Sequence, residues 1–284
     1  MDAKNLLAGY KDAVEGDLRR ILSRHDTLLF QAMRYSVLCG GKRFRPLLLL
    51  SAGDAFGAGL RRTLPFACAV ELIHNYSLIH DDLPALDDDD YRRGRPSCHK
   101  AFGEDIALLA GDSLLTLAFE VMAAAEMPKS RLARKDQVIK EVAQLAGVEG
   151  MIGGQLLDIT FSVDNAAKES LHELMLKKTG ALIVASVRAG AVLGGAQRSK
   201  LESLTEYGKN VGLAFQVRDD IHDAATTRKK ASLAKPNYVT VFGREKAGLL
   251  LKQSVRAALA ALKTASIGSG PLQRLARQLL EPGP

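Results

Sequence analysis

Tryptophan is absent from the 284 residues, and aromatic side chains make up only 5% of them. Proteins that hold single-stranded nucleic acid stack bases on aromatic rings, so this chain is poorly supplied for that work. Lysine and arginine are spread along it, without basic runs interleaved with aromatics, which argues further against a nucleic-acid partner. Cysteine is scarce too: Cys39, Cys68 and Cys98 are odd in number and have no Cys-x-x-Cys spacing. That argues against a disulfide framework or a zinc site and fits a reducing, cytoplasmic setting. The most apolar stretch, 181–196, is interrupted by Arg188 and falls short of the roughly 20 residues a bilayer needs, so no membrane span is expected. Asp2, Asp12, Glu15 and Asp17 occupy the first twenty residues, which lack the apolar centre of a signal peptide. Neither a Gly-x-Gly-x-x-Gly following a strand nor a Gly-x-x-x-x-Gly-Lys-Ser/Thr occurs, which removes the usual nucleotide cradles. Internal repeats and low-complexity linkers are also missing, so 1–284 reads as a single domain.

What is present suits a globular chain of one large domain: 47% hydrophobic and 25% charged residues, with a net charge of +7. The charge favours anionic partners and, with nucleic acid set aside, leaves small phosphorylated substrates open. Between Pro128 and Pro236 there is no proline, and Ala, Leu, Glu, Lys and Gln abound. Long uninterrupted helices follow. Leu171, Leu174 and Met175, then Ile183, Val184 and Val187, recur at helical spacing. The expected fold class is all-α.

Two acidic clusters carry the chemistry. Six carboxylates fall within Asp81-Asp82-Leu83-Pro84-Ala85-Leu86-Asp87-Asp88-Asp89-Asp90. Pro84 ends the preceding helix, so these charges gather at a helix C-terminus and oppose its dipole. A lone cluster of this kind reads first as a solvated acidic loop. The second, Gln216-Val217-Arg218-Asp219-Asp220-Ile221-His222-Asp223, places Gln216, Asp219 and Asp223 on one helical face. Two such clusters beside apolar helices suit hard cations such as Mg²⁺, which combines a few carboxylates with substrate phosphates. The implied substrate is a diphosphate. Lys42, Arg43 and Arg45 stand beside a helix start, where backbone N–H groups also favour an anion. Arg92 and Arg93 follow the first cluster, and Lys178-Thr179-Gly180 offers a cation and a hydroxyl at a helix break. His74 lies two turns before Asp81 on the same face, with Ser77 between them.

In this order the motifs resemble the trans-isoprenyl diphosphate synthases, or polyprenyl synthetases. The match rests on Gly40-Gly41-Lys42-Arg43-Phe44-Arg45-Pro46, on His74 with Tyr76 to Asp82, on Arg92-Arg93-Gly94, on Gly154-Gln155 with Asp158, on Lys177 to Gly180, and on Phe215-Gln216 with Asp219, Asp220 and Asp223. The resemblance implies a bundle of about ten helices around a central cavity, usually as a homodimer. It implies that Asp81, Asp87 and Asp219 bind three Mg²⁺ ions, with Asp82, Asp220 and Asp223 supporting them from behind. Arg92, Lys178, Thr179, Gln216 and Lys235 are the implied contacts to the allylic diphosphate. Lys42, Arg45, His74 and Arg93 are the implied isopentenyl diphosphate site. The implied activity is condensation of dimethylallyl or geranyl diphosphate with isopentenyl diphosphate, releasing pyrophosphate.

Tyr76, five residues before Asp81, resembles the aromatic of the bacterial farnesyl type, where a ring limits the growing chain. The alternative reading is a core aromatic with a hydrogen-bonded hydroxyl. Geranylgeranyl synthesis is the nearest alternative, since it shares every diphosphate contact. A non-catalytic subunit of a heteromeric synthase would have an eroded aspartate motif, and both motifs are intact. A terpene cyclase needs one diphosphate site, which leaves Lys42, Arg45 and His74 without work. The segment after Asp223 is shorter than is usual in the family, and the C-terminus lacks its common basic tail.

Overall fold

The computed structural model describes residues 2–160, 168–225 and 237–281. The chain opens with α1 (Ala3–Leu22) and α2 (Leu28–Val37); the Thr27 side chain caps α2 by accepting from the Phe30 N–H at 3.3 Å. Then come α3 (Phe44–Ala55) and α4 (Leu60–Asp81), followed by a two-stranded ribbon of β1 (Tyr91–Arg92) and β2 (Arg95–Pro96). The short α5 (Cys98–Phe102) leads to α6 (Glu104–Ala124), α7 (Leu132–Ala146) and α8 (Met151–Thr160). Next are α9 (Lys168–Met175), α10 (Ala181–Gly194) and α11 (Arg198–Ala225). The described chain ends with α12 (Tyr238–Phe242), α13 (Arg244–Thr264) and α14 (Pro271–Gln278). The fold is all-α, as the proline-free, helix-forming composition predicts.

The apolar stretch that includes Arg188 is the central helix. In α10 every residue is buried except Arg188 and Gly194, and the helix packs against α3, α4, α7 and α11. A helix that is apolar all round belongs inside. Arg188 satisfies its charge there by pairing with Glu141 at 2.8 Å and donating to the Thr205 hydroxyl at 2.8 Å. The sequence reading overlooked α6, which is long and apolar enough by length and composition to cross a membrane. Its Ala107, Ala110, Leu114 and Ala118 are buried, and the helix packs mainly on α4, as the core helix of a bundle does.

Two other expectations change. Lys178-Thr179-Gly180 is no helix break, because a single π-helical turn, Leu176–Gly180, carries the chain from α9 into α10. Arg43 borders the same small pocket as Lys42 and Arg45, but its guanidinium is committed to protein partners. Its backbone is left-handed (φ 50°), which turns the side chain inward. There it donates to Glu15 at 2.7 Å, Glu71 at 2.7 Å and the Val37 carbonyl at 2.7 Å. With no exposed side-chain surface, this guanidinium ties α1, α2, α3 and α4 together. Removing one partner of such a group leaves uncompensated buried charge. Arg43→Ala is therefore expected to lower the unfolding free energy by about 3–5 kcal/mol, read from urea denaturation; a loss below about 1 kcal/mol would mean the cluster is solvated.

Candidate active site

The end of α4 organises the first wall. His74, Ser77 and Asp81 follow one stripe, as their spacing predicts, and all line a cavity of about 830 Å³. Beyond Asp82 the chain folds back, with the Asp87 N–H donating to the Asp81 carbonyl at 2.9 Å and the Asp88 N–H to that of Leu83 at 3.2 Å. This brings Asp87 beside Asp81, although Asp87 itself is exposed and lies outside the cavity lining. Protein cations already neutralise part of the cluster. Arg92 grips both oxygens of Asp82 and reaches Asp89 at 3.1 Å, and Lys100 pairs with Asp90 at 2.8 Å. Arg92 still borders the cavity while it holds these carboxylates.

The opposite wall comes from α11 and the π turn. Gln216 and Asp219 face the cavity beside Phe215, Lys178 and Thr179. A chain of hydrogen bonds fixes them. The Thr179 hydroxyl donates to Gln216 Oε1 at 2.9 Å, Gln216 Nε2 donates to Asp220 at 2.8 Å, and Asp220 accepts the Tyr238 N–H at 2.8 Å. Lys178 pairs with Asp158 of α8 at 2.6 Å. Two glycines let backbones close on the turn: a Cβ on Gly154 would lie 2.2 Å from the Lys178 nitrogen, and one on Gly212 would lie 2.8 Å from the Gly180 Cα. π-helical turns recur at functional sites, and this one carries Lys178 and Thr179 to the cavity edge. Asp223 is exposed, one helical turn beyond Asp219.

The cationic side lies at the start of α3. Arg45 and His74 are in contact (3.4 Å), and Arg93 is held by the Gly40 carbonyl. Arg45, His74 and Arg93 line both the main cavity and an adjoining pocket of about 370 Å³, where Lys42 joins them. Arg45 is only 8% exposed, and its Nε has no partner among the described residues. Burial lowers its pKa to about 10, so it remains charged at neutral pH. Burial, with the charges of Arg45 and Arg93 behind it, holds His74 well below the usual imidazole range, so His74 is neutral. Lys235 lies outside the described residues.

Countercharge on the acidic walls is partial: besides Arg92 and Lys178, Arg218 pairs with Asp219 at 3.3 Å. Burial pushes the Asp81 carboxyl up to about 6, with Asp87 and Asp82 adding to the rise and Lys178 opposing it. Asp219, Asp220 and Asp82 are raised as well, each chiefly by burial. The clustered carboxylate oxygens are hard donors of the kind Mg²⁺ takes, and the ion would supply further positive charge. A further acidic group, Asp88, Asp90 and the buried His99, has ligand atoms within 4.8 Å of one another. Tyr76 borders the cavity, 5% exposed, with its ring edge-on to His80 and no partner for its hydroxyl, unlike a hydrogen-bonded core tyrosine. Burial, then the charge of Asp81, pushes its pKa up to about 12. The apolar remainder, Leu115 of α6 with Met151, Ile152, Leu156 and Ile159 of α8, escaped sequence reasoning, because nothing local marks those residues as facing a void.

An all-α bundle whose main cavity sets two carboxylate clusters against cationic side chains and then continues into an apolar wall suits a prenyltransferase acting on isoprenyl diphosphates. The chain belongs to the polyprenyl synthetase family, whose model matches residues 26–264. It is 41% identical over 268 residues to the farnesyl diphosphate synthase of Escherichia coli, covering 90% of each chain. It is also 41% identical over 225 residues to the geranylgeranyl diphosphate synthase of Cyanophora paradoxa, covering 78% of this chain and 74% of that one. Among solved structures, it matches an FPP/GFPP synthase from Zymomonas mobilis with a TM-score of 0.88 at 32% identity, over 98% of this chain and 99% of the other.

The raised carboxyls have a thermodynamic consequence. A carboxyl whose folded pKa exceeds its unfolded value contributes stability at low pH that is lost as pH rises through the folded pKa. For Asp81 that window runs from about 4 to about 6. In EDTA, Asp81→Asn should melt a few degrees higher than the parent at pH 7, with the gap closing below about pH 4. Scanning calorimetry across pH reads this, and a lower melting temperature for Asp81→Asn at pH 7 would contradict it.

Proposed function

We propose that the chain condenses dimethylallyl or geranyl diphosphate with isopentenyl diphosphate, releasing pyrophosphate and giving farnesyl diphosphate as its main product. The observation that carries this reading is the convergence of Asp81, Asp219, Lys178, Arg45 and His74 on one cavity. In this reading Asp81, Asp87 and Asp219 hold three Mg²⁺ ions, and Asp82, Asp220 and Asp223 keep them in place. Bound Mg²⁺ supplies positive charge to the leaving diphosphate. Arg92, Lys178, Thr179, Gln216 and Lys235 orient the allylic diphosphate. Lys42, Arg45, His74 and Arg93 hold isopentenyl diphosphate, for which the neutral His74 donates a hydrogen bond and Arg45 a charge-assisted one. The allylic C–O bond breaks, the double bond of isopentenyl diphosphate attacks the cation, and a pyrophosphate oxygen takes the proton. The apolar wall excludes the water that would capture the cation.

Tyr76 favours the fifteen-carbon product. At 1.5 Å per residue it lies about 7.5 Å beyond Asp81 along α4, and its ring narrows the path of a growing chain. The geranylgeranyl reading keeps support from the Cyanophora relative. The reading extends to the whole chain as one polyprenyl synthetase domain in the cytoplasm, and to a homodimer. Three free cysteines support the compartment, and the exposed Leu108 and Leu109 of α6 support the dimer.

Incubation with both substrates and Mg²⁺, with products sized by mass spectrometry, is expected to yield the C15 diphosphate; absence of any condensation product would overturn the reading. Arg45→Ala should raise the KM for isopentenyl diphosphate about ten- to a hundredfold, the worth of a charge-assisted contact of about 1.5–3 kcal/mol. An increase confined to the allylic KM would mean that the two sites are reversed. Tyr76→Ala should shift the main product to C20 or longer, since packed interiors have little slack around a ring; an unchanged C15 product would assign the limit to another residue.

A further inference from the structure

Asp88, Asp90 and His99 lie outside the lining of the main cavity, apart from the diphosphate contacts. One oxygen of each carboxylate and one imidazole nitrogen fall within 4.8 Å of one another. The β1–β2 ribbon brings them together. The Ser97 N–H donates to the Asp90 carbonyl at 2.9 Å, which closes the ribbon and sets the first turn of α5 beside the aspartates. Exposed carboxylates alone would mean little; the histidine sets this group apart. His99 is 6% exposed, and its Nε2 is buried without a hydrogen-bond partner. Buried polar atoms are nearly always paired, so this nitrogen points to a ligand.

The other ring nitrogen says what kind of ligand. Nδ1 lies 3.1 Å from the hydroxyl of the buried Ser97. When Nδ1–H donates to that hydroxyl, Nε2 carries a free lone pair. Metal-bound imidazoles are held in this way, with the second nitrogen donating to a neighbour that fixes tautomer and ring. The local charge also favours a cation. Lys100 pairs with one oxygen of Asp90 at 2.8 Å and is attracted by Asp88 as well, so a single ammonium serves two carboxylates. Donor atoms about 2.0–2.2 Å from one ion stand at most about 4.4 Å apart, so the exposed aspartates need move little to close on it.

We propose that His99 Nε2, Asp88 and Asp90 bind a divalent transition-metal ion, Zn²⁺ or its like, at a site separate from the carboxylates of the main cavity. Imidazole together with carboxylate oxygens suits Zn²⁺, whereas Mg²⁺ takes oxygen donors. Three protein ligands leave a further position for water. The site uses no cysteine, so it differs from the cysteine-bound zinc that the spacing of Cys39, Cys68 and Cys98 argues against. The ion ties the chain before the ribbon to the helix after it. Arg92 and Arg93, which border the main cavity, lie between those two anchors. The ion is structural: it fixes the ribbon that carries these arginines and takes no part in bond breaking. The proposal concerns the protein alone with metal and stands apart from the prenyl-transfer reading.

Co²⁺ titrated into the full chain in excess Mg²⁺, without diphosphate, tests this, because its visible absorption and paramagnetically shifted imidazole resonances report the donors. One Co²⁺ should bind per chain with an imidazole signature, and Zn²⁺ should compete for the same place. Asp88→Asn and His99→Gln should weaken binding about a hundredfold or more. Ser97→Ala, which removes only the support of the ring, should weaken it about ten- to a hundredfold. Asp88 is exposed and left-handed (φ 48°), a conformation asparagine shares, so Asp88→Asn keeps the fold and decides the matter if His99→Gln does not fold. Asp81→Asn combined with Asp219→Asn should leave Co²⁺ affinity within about threefold. Zn²⁺ should raise the melting temperature of the parent by several degrees and leave that of Asp88→Asn unchanged. No Co²⁺ bound in excess Mg²⁺, binding unchanged in Asp88→Asn, or binding lost with the cavity aspartates instead would overturn the proposal.

Discussion

Like charges held close together around one cavity are the constraint on which the rest depends. Asp81 at the end of α4 and Asp219 in the last two turns of α11 border the same space, each raised by burial and each with further carboxylates behind it. Repulsion of this kind has to be offset by packing elsewhere. The structure offsets part of it with fixed cations, Arg92 on Asp82 and Asp89, Lys178 on Asp158 and Arg218 on Asp219; in the proposed function, cations that arrive with the substrate meet the remainder. In the proposed function, the same arrangement that costs stability without ligand suits a polyanion bound together with metal.

Rigid packing holds that arrangement in place. The π turn is pressed between α8 and α11 through Gly154 and Gly212, where no side chain would fit. Lys178 and Thr179 therefore reach the cavity from a backbone with little freedom. From there the Thr179–Gln216–Asp220–Tyr238 chain carries the order across α11 to α12. On the far side, Arg43 pins the start of α3 to α1 and α4, which fixes Arg45 against His74. Structure and site share these residues, so a change at either glycine or at Arg43 reaches the chemistry without touching substrate.

Local rules made much of this legible. Pro84 forecasts the end of α4, and three- and four-residue spacing forecasts that His74, Ser77 and Asp81 share a face; both hold. Helix-forming composition forecasts the all-α fold. Features set by tertiary contact were hidden. The π turn replaces an expected break because glycines in two distant helices close on it. The Arg43 guanidinium turns away from the diphosphate contacts because the half-buried Glu15 and the buried Glu71, both remote in sequence, pair with it. Gln155 reads as one member of a motif until its buried amide, unpartnered among the described residues, is visible. The exposed position of Asp87 follows from a turn that pairs backbone groups across the aspartate motif, which composition alone does not specify.

The central claim, that the cavity lacks charge which Mg²⁺ and a diphosphate supply together, is tested most directly by thermal unfolding under four conditions: EDTA, Mg²⁺ alone, pyrophosphate alone, and both. Ligands that bind only the native state raise the melting temperature, and ligands that bind jointly raise it by more than the sum of their separate effects. The account predicts small separate shifts and a combined shift several degrees larger than their sum. Shifts that merely add, or no shift with both present, would contradict it.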